Sequence, residues 1–591
     1  MIGAVPAQDS FTEQAMATSF NRFYATELAR LRANSLEFAQ ANPAVAPMLG
    51  SVSTDPDVER LLEGVAFLNG LTRQKLDDEF PEIVQELASI LVPQFLRPLP
   101  ASTMIAFTPK AKLSETATIA EGTEIGSTPV EGVSCRFRTT ASLQIQPITL
   151  ETASSERLPD GSHALRLQFQ APQDAQGIQL PGRLRLFLAG EHADAANLFM
   201  LFGSQVKSVR ALDQSGHSVP LSTTLSLPGF DESLLPYPDN AFPAFSWIQE
   251  LLFLPQKFLF IEFTDLHKGL GRLQGERFRI EIVFHRSSFT MPEITARNFA
   301  LNVTPAVNLF PVEAEPINLD HEMSEYLILP HGSQRRHYQI YSIDSVSGYV
   351  QGGAEPKRYV PFSLLTHSRQ EAQASYRTSM RPAMVGDTID TYLSVVYHAG
   401  DEPANETLSL RLTCTNRTLP ENLKLGDVSR ATSSSPERFE FRNITPVTAA
   451  IDPPHGEKLL WDVISHTTLN LLSLSSIETL RAMLRLYNST CSYDSGVRSA
   501  NERQVDGLLD LAITREMRLV RGTMMQGQHV VLTCEEKNWP SAGAMYLWGC
   551  VLDRFLACYA GINSYTRFEI HDKNTGTTFK WPMRMGRKPV L

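Results

Sequence analysis

Cysteine is scarce in this chain: six in 591 residues (Cys135, Cys414, Cys491, Cys534, Cys550 and Cys558), widely spaced and with no CxxC pair. That excludes a disulfide-framed secreted scaffold, argues against a structural zinc ribbon and leaves buried free thiols in a reducing compartment. An excess of basic charge is also lacking. Lys+Arg total 53 against 64 Asp+Glu, a formal net charge of -11, so no global footprint for coating nucleic acid exists. Long hydrophobic runs are missing too. The most apolar stretch, Ile248–Phe263, is broken by Gln249, Glu250, Pro255, Gln256 and Lys257, and falls short of the ~18 residues a spanning helix needs. Residues Met1–Phe11 show neither a basic nor an apolar leader segment, so a cytoplasmic protein without direct membrane insertion is expected.

What is present is an ordinary globular balance, 42% hydrophobic and 20% charged, in a length that suits about three to five domains. The expected class is α+β multidomain. Residues 1–100 read as a helical arm. Phe20, Phe23, Tyr24, Leu28, Leu31 and Phe38 fall on helical spacing, and Asn42-Pro43 stops that helix. A second helix is expected from Asp55-Pro56 through Val58, Leu61, Leu62, Val65, Leu68 and Leu71, and a third from Asp77-Asp78-Glu79 through Ile83, Leu87, Leu91 and Phe95. Pro98 and Pro100 end it.

From 101 to 300 the period changes to two, as in Met104–Phe107, Ala164–Phe169, Leu184–Leu188 and Phe278–Phe284, which predicts a β-rich domain. A second β-rich domain is expected over 301–445, with strands at Tyr338–Ile343, Tyr392–Tyr397 and Leu408–Leu412. Residues 446–591 read as a mixed α/β domain. Leu459–Leu474, Ile477–Tyr487 and Tyr546–Tyr559 are helical in pattern, and His529–Thr533 and Phe568–Ile570 are strands.

Motifs that would carry catalysis fail on spacing or setting. Gly269-Leu270-Gly271-Arg272-Leu273-Gln274-Gly275 is one residue off GxGxxG and opens no helix. His321-Glu322-Met323-Ser324-Glu325 has a carboxylate where HExxH needs its second histidine. Asp77, Asp78 and Glu79 read as a helix start rather than an acid/base pair. Cys414 lies in a strand pattern and reads as a small buried hydrophobe. There is no GxSxG elbow and no GxxxxGK[ST] loop. No catalytic residue, cofactor or metal is therefore expected. The tail residues Lys580, Arg584, Arg587 and Lys588 form a modest basic run that suits solvent or an acidic partner surface. A chain of 65.8 kDa built this way suits an assembly component better than an enzyme.

Several strings, in order, resemble the TssF family of type VI secretion baseplate subunits. They are Phe23–Arg32, Asp55–Phe67, Lys75–Glu82 and Leu91–Pro98; then Ala120–Thr123, Phe137–Thr140, Phe253–Phe260, Asn302–Phe310 and Glu315–Ile317; then Leu412–Pro420, Trp461, Ser465-His466, Asn470, Val551–Leu556 and Asn563-Ser564. The resemblance runs from about residue 20 to 588. Val92 and Gln94 stand where an aromatic and a histidine are common, and Met380 where an arginine is expected.

The resemblance implies a fold like the wedge subunits of contractile-tailed phage baseplates, and a structural role without enzymatic activity. In that family two copies join one TssG, TssE and TssK attach, and six wedges surround a VgrG-like spike hub at a baseplate docked on the inner-membrane complex. The partners implied are thus a second copy, TssG, TssE, TssK and the hub, with no nucleic acid. On this reading Phe23, Leu28, Leu31, Leu61, Leu62, Val65, Phe67 and Leu68 cover one another in a shared bundle, Glu59, Arg60 and Glu63 set its register, and the arm takes two orientations hinged near Pro98 and Pro100. By analogy the 446–591 region contacts neighbouring wedges through the expected exposed residues Arg554, Arg584 and Arg587. Two rivals remain open on sequence: a wedge protein of another contractile machine or phage tail, and a β-rich hydrolase with a helical cap that uses His321 or Cys414.

Overall fold

The computed structural model describes the backbone of residues 24–25, 27–32, 34 and 56–586, the last range except for 112, 114, 172, 175–176, 179–181, 222, 239–240, 267–269, 271–272, 274–275, 287–290, 292, 351–355, 363–373, 384–387, 397–404, 455–460, 466–475, 493 and 521. The described residues between Tyr24 and Asn34 are helical. Phe23, the helix stop at Asn42-Pro43, the cap Asp55, most of the expected helix Leu459–Leu474, most of the glycine turn Gly269–Gly275, and Arg587 lie outside the described residues.

Helix α1 (Pro56–Leu91) is one continuous helix of 36 residues, about 54 Å long at 1.5 Å per residue. Two helices were expected here. Arg73-Gln74-Lys75-Leu76 at the anticipated break are all good helix formers, so the helix propagates through them. Pro81 removes the bond to the carbonyl of residue 77 without ending it, and Asp77, Asp78 and Glu79 lie mid-helix and not at a helix start. The C-terminal part is docked. Val84, Ala88 and Val92, spaced i, i+4, i+8, join Phe95 and Leu99 in the main core.

The strands do not divide at residues 300 and 445. A six-stranded sheet runs in the order Arg430–Ala431, Glu124–Val130, Val133–Thr139, Val303–Val307, Ser102–Pro109, Phe439–Asn443. Ser102 pairs with Val307 on one side, and Ile105 pairs with Asn443 on the other. The expected boundaries therefore cut through this sheet. Its central strands explain why: Val303–Val307 is buried at every position, and a strand covered on both faces needs neighbours from wherever the chain supplies them. The remainder of 140–300 holds a five-stranded and a four-stranded sheet around two further helices, α2 (His192–Ser204) and α3 (Pro243–Phe253). The 301–445 region contributes an eight-stranded sheet, whose long central pair is Gln339–Val350 with Glu406–Thr415.

The C-terminal region holds α4 (Ile477–Cys491), α5 (Ser495–Asp506) and α6 (Ala542–Ala557). Its sheet runs Leu508–Val520, Thr523–Cys534, Ser564–Asp572, Thr578–Lys580, with Arg584–Met585 beside the third strand. Helix α6 crosses between two parallel strands of it. Apolar on nearly every side, α6 packs against α2 so closely that a Cβ on Gly543 would meet the Ala196 backbone. Tyr546 stacks on Trp581 and touches Phe199, and Val551, Leu552 and Phe555 are buried. One core thus runs from Val84 to Trp581 and includes this helix. Smaller cores lie inside the six-stranded sheet and the eight-stranded sheet.

Candidate interaction surfaces

The arm presents an exposed apolar stripe. Leu61, Val65 and Leu68 recur at i, i+4, i+7 on α1. Leu61 is 69% exposed, Leu68 63% and the adjacent Phe67 47%, while Ala66 faces inward. Further along, Ile83, Leu87, Ile90 and Leu91 are also exposed. Arg60 and Glu63 are exposed beside the stripe, Leu62 is half-buried, and the side chain of Glu59 lies outside the described residues. Leu28 and Leu31 are half-buried. An exposed apolar face of this extent is a candidate contact surface.

The root of the arm is fixed by contacts that the sequence pattern did not reveal. Gln85 donates through Nε2 to the Met380 carbonyl (2.9 Å), and its Oε1 accepts from the Met380 N–H (3.1 Å). The side-chain amide thus stands in for a neighbouring strand along Ser375–Pro382, which pairs with Lys357–Pro361 only at Ser375 and Tyr376. Glu86 pairs with Arg377 at 2.9 Å. Pro98 and Pro100 are buried, Arg97 donates to the Pro236 carbonyl at 2.8 Å, and Leu99 bridges Ile451 in both directions. The expected hinge is therefore a packed, hydrogen-bonded segment, and any reorientation of the arm has to occur N-terminal to it.

Two of the three expected exposed arginines are engaged within the chain. The Arg554 guanidinium lies 3.8 Å from the Phe230 ring centroid and donates to the Cys550 carbonyl. Its pKa is lowered chiefly by burial, with the Arg584 charge adding to it. Arg584 is ion-paired with Asp553, which is fully buried. Analogy led to the expectation of an exposed Arg554. Helix α6 has almost no polar side, so its arginine covers an aromatic ring instead.

Several of the strings that carried the family resemblance beyond the arm fall on internal joints. Within Phe253–Phe260, Lys257 is fully buried and pairs with Glu250, whose Oε1 also accepts from the Leu234 N–H at 2.8 Å. Asn302–Phe310 and Leu412–Pro420 meet through amides. Asn308 Nδ2 donates to Asn416 Oδ1 and to the Arg136 carbonyl, both at 2.8 Å, and the Asn416 N–H donates to Asn308 Oδ1 at 2.7 Å. Asp553 belongs to Val551–Leu556.

No described feature assembles the hydrolase alternative. Cys414 is buried in its strand, and burial with Asp344 nearby pushes its thiol up to about 12. His321 sits in a turn with φ 63°, its N–H donating to the Tyr326 hydroxyl, which donates to Asp320. Three cavities of about 950, 720 and 420 Å³ line the junctions of the 102–307 region, and neither residue borders any of them. Among the described residues no group of three or more His, Cys, Asp or Glu side chains is placed to hold a metal, and no helix is long and apolar enough to cross a membrane.

The sequence family described as "Type VI secretion system, TssF" matches residues 16–588. The type VI secretion system component TssF1 of Pseudomonas aeruginosa is 27% identical over 631 residues, spanning 96% of this chain and 99% of that protein. Among solved structures, a chain of the type VI secretion TssK-TssF-TssG baseplate subcomplex, seen by cryo-electron microscopy, matches with TM-score 0.78 and 28% identity over 90% of this chain and 99% of that one. A chain of the type VI secretion baseplate complex matches with TM-score 0.61 and 25% identity over 97% and 100%.

Proposed function

Because the chain belongs to the TssF family, the structural baseplate components of the type VI secretion system, we propose that it is a wedge subunit that works through protein contacts and not through catalysis. Two copies join one TssG; TssE and TssK attach; six such wedges surround a VgrG-like spike hub and template the contractile sheath on the cytoplasmic side of the inner-membrane complex. The observation that carries this reading is α1, anchored to its own body at Val84, Gln85, Ala88 and Val92 while it exposes Leu61, Phe67, Leu68, Ile83 and Ile90. A helix that exposes apolar residues along its length suits a place in a bundle of several chains.

Residues 1–100 are proposed as the shared bundle, with Phe23, Leu28, Leu31, Leu61, Leu62, Val65, Phe67 and Leu68 at its core. Burial at about 25 cal/mol per Å², over the ~2,000 Å² or more typical of obligate interfaces, supplies the driving force. Glu59, Arg60 and Glu63 set register; exposed pairs contribute only about 0–1 kcal/mol each, so their effect falls on specificity. The two copies differ by a bend in the arm N-terminal to its anchored root, and the 446–591 region, Arg587 included, faces the next wedge.

Co-expression with the neighbouring TssG-like protein tests this. A light-scattering mass of two chains to one partner is expected, and Leu61→Asp or Leu62→Asp should abolish co-purification while the sheet domains keep their melting behaviour. Unchanged co-purification of both variants would overturn the arm as the contact.

A further inference from the structure

The C-terminal sheet ends in a hairpin that outruns its own core. Leu508–Val520 and Thr523–Cys534 pair antiparallel as far as Val520↔Thr523, but the third strand begins only at Gln526↔Ser564, so residues 518–525 project beyond it. Leu508–Val520 is the terminal strand of the sheet, and Ala512, Thr514, Arg515, Met517, Arg518 and Leu519 along it are exposed. Met517 is 66% exposed, Leu519 69%, and Met524, directly opposite Leu519, 57%. These three share the face that packs on the core nearer the sheet centre, through Leu511 and Val530. A long edge with open N–H and C=O groups and an apolar tip is a template for another strand.

We propose that this edge pairs antiparallel with the same edge of a second copy of this chain, about a twofold axis at Met517. Charge selects the partner and the register. Centred on Met517, Glu516 of each copy faces Arg518 of the other, twice by symmetry, with Met517 against Met517 and Thr514 against Val520. Centring on Arg515, Glu516 or Arg518 instead sets that charge against its own copy. A half-step register would oppose the core-side face of one hairpin to the outer face of the other. The Met517-centred contact is closed and isologous, so it makes a dimer and not a fibre. Its acceptor is already aimed: Arg567 grips the Glu516 carboxylate with Nε at 3.2 Å and Nη2 at 3.1 Å, which leaves lone pairs for a second arginine. Arg518, at 3.2 Å from the same carboxylate, exchanges its own Glu516 for that of the other copy.

The pairing rests on the reading above that one baseplate holds more than one copy, and its test is separate from that of the arm. The full-length chain is measured alone by light scattering across a concentration series, then as Glu516→Arg, as Arg518→Glu and as an equimolar mixture of the two. The wild type should reach twice the 65.8 kDa chain mass, and each variant should stay at one chain. The mixture should dimerise again, because the introduced arginine of one copy then meets the introduced glutamate of the other, and the native Arg518 and Glu516 meet at the second contact. Leu519→Arg, which in this register faces Arg515 of the other copy and leaves the Arg567 network intact, should also give one chain, with an unchanged melt as the control for folding. A wild type that stays at one chain throughout, or a mixture that does not dimerise, would overturn the pairing. Hairpin variants should keep co-purifying with the TssG-like partner; if the wild type itself fails to bind that partner, the wedge reading falls and the hairpin result still stands on its own.

Discussion

Replacing Lys257 by methionine should destabilise the main core more than almost any surface change in the molecule. Lys257 is 2% exposed and Glu250 1%, and they pair with each other seven residues apart across the end of α3. Methionine fits the space but leaves the Glu250 carboxylate buried without its counter-charge, its Oε1 still accepting from the Leu234 N–H. Breaking one side of a buried ion pair costs about 3–5 kcal/mol. At about 2–4 °C per kcal/mol for a unit of 150–250 residues, the main-core transition should fall by about 6–20 °C. Differential scanning calorimetry is the suitable assay, because several cores make a single two-state midpoint ill-defined. The double variant Glu250→Gln with Lys257→Met removes the orphaned charge yet keeps an acceptor for Leu234, and should recover more than half the loss. A single variant that melts within about 2 °C of wild type, or a double variant no better than the single, would refute the claim that this pair is electrically closed.

Gly229 touches the same site. A Cβ there would sit 2.5 Å from the Lys257 carbonyl and 2.8 Å from the Phe258 Cα, so Gly229→Ala should cost about 1–3 kcal/mol through overpacking, read as a lower calorimetric midpoint. On the C-terminal sheet, burial would raise the Glu569 pKa, but its hydrogen bond to His571 and the charges of Lys580, His529 and Arg567 outweigh that and hold it below 4.5. A depressed carboxyl stabilises the fold above its unfolded value near 4.5 and loses that contribution as pH falls through the folded one. Glu569→Gln should therefore flatten the acid limb of the stability curve below about pH 4.5. Among the cysteines, Cys135, Cys414, Cys491, Cys534 and Cys550 are buried and only Cys558 is half-buried. Native thiol titration at pH 8 should thus find at most one reactive group, and all six only after denaturation.

Much of the local structure was legible. Met104–Phe107, Ala164–Phe169, Phe278–Phe284 and Leu408–Leu412 each fall inside an observed strand, since period-two alternation is written in single residues. Helices α2 and α3 were not legible, because both are buried nearly all round and an all-apolar helix has no stripe for a periodicity to detect. The domain boundaries failed for a different reason. Residues 102–139, 303–307 and 430–443 each look like part of a β-rich region, and nothing local says that they share one sheet. The exposed stripe at Leu61, Val65 and Leu68 was readable in sequence, but whether its own chain covers it was not. The Met517–Met524 tip could have been anticipated from the alternation on either side of Gly522, whose φ of 85° makes it the turn residue.

The placement of the recognisable strings has a physical logic. Lys257 with Glu250, Asn308 with Asn416 and Asp553 with Arg584 are polar groups set into apolar surroundings, where each needs one partner of one geometry and substitution of either member leaves an unmet charge or hydrogen bond. The arm stripe has no such requirement. Leucine, isoleucine, valine and phenylalanine all bury comparable apolar area, so a bundle partner can be satisfied by many sequences. The recognisable strings therefore mark two kinds of place: buried polar joints that make the body rigid, and the arm itself, where Asp55–Phe67 carries part of the exposed stripe. That rigidity also has mechanical use. A subunit that joins neighbours at two distant places, the arm and the C-terminal hairpin, can set their spacing only if the body between them does not yield. One continuous core from Val84 to Trp581, closed by buried pairs instead of by separable domains, is what such a spacer requires.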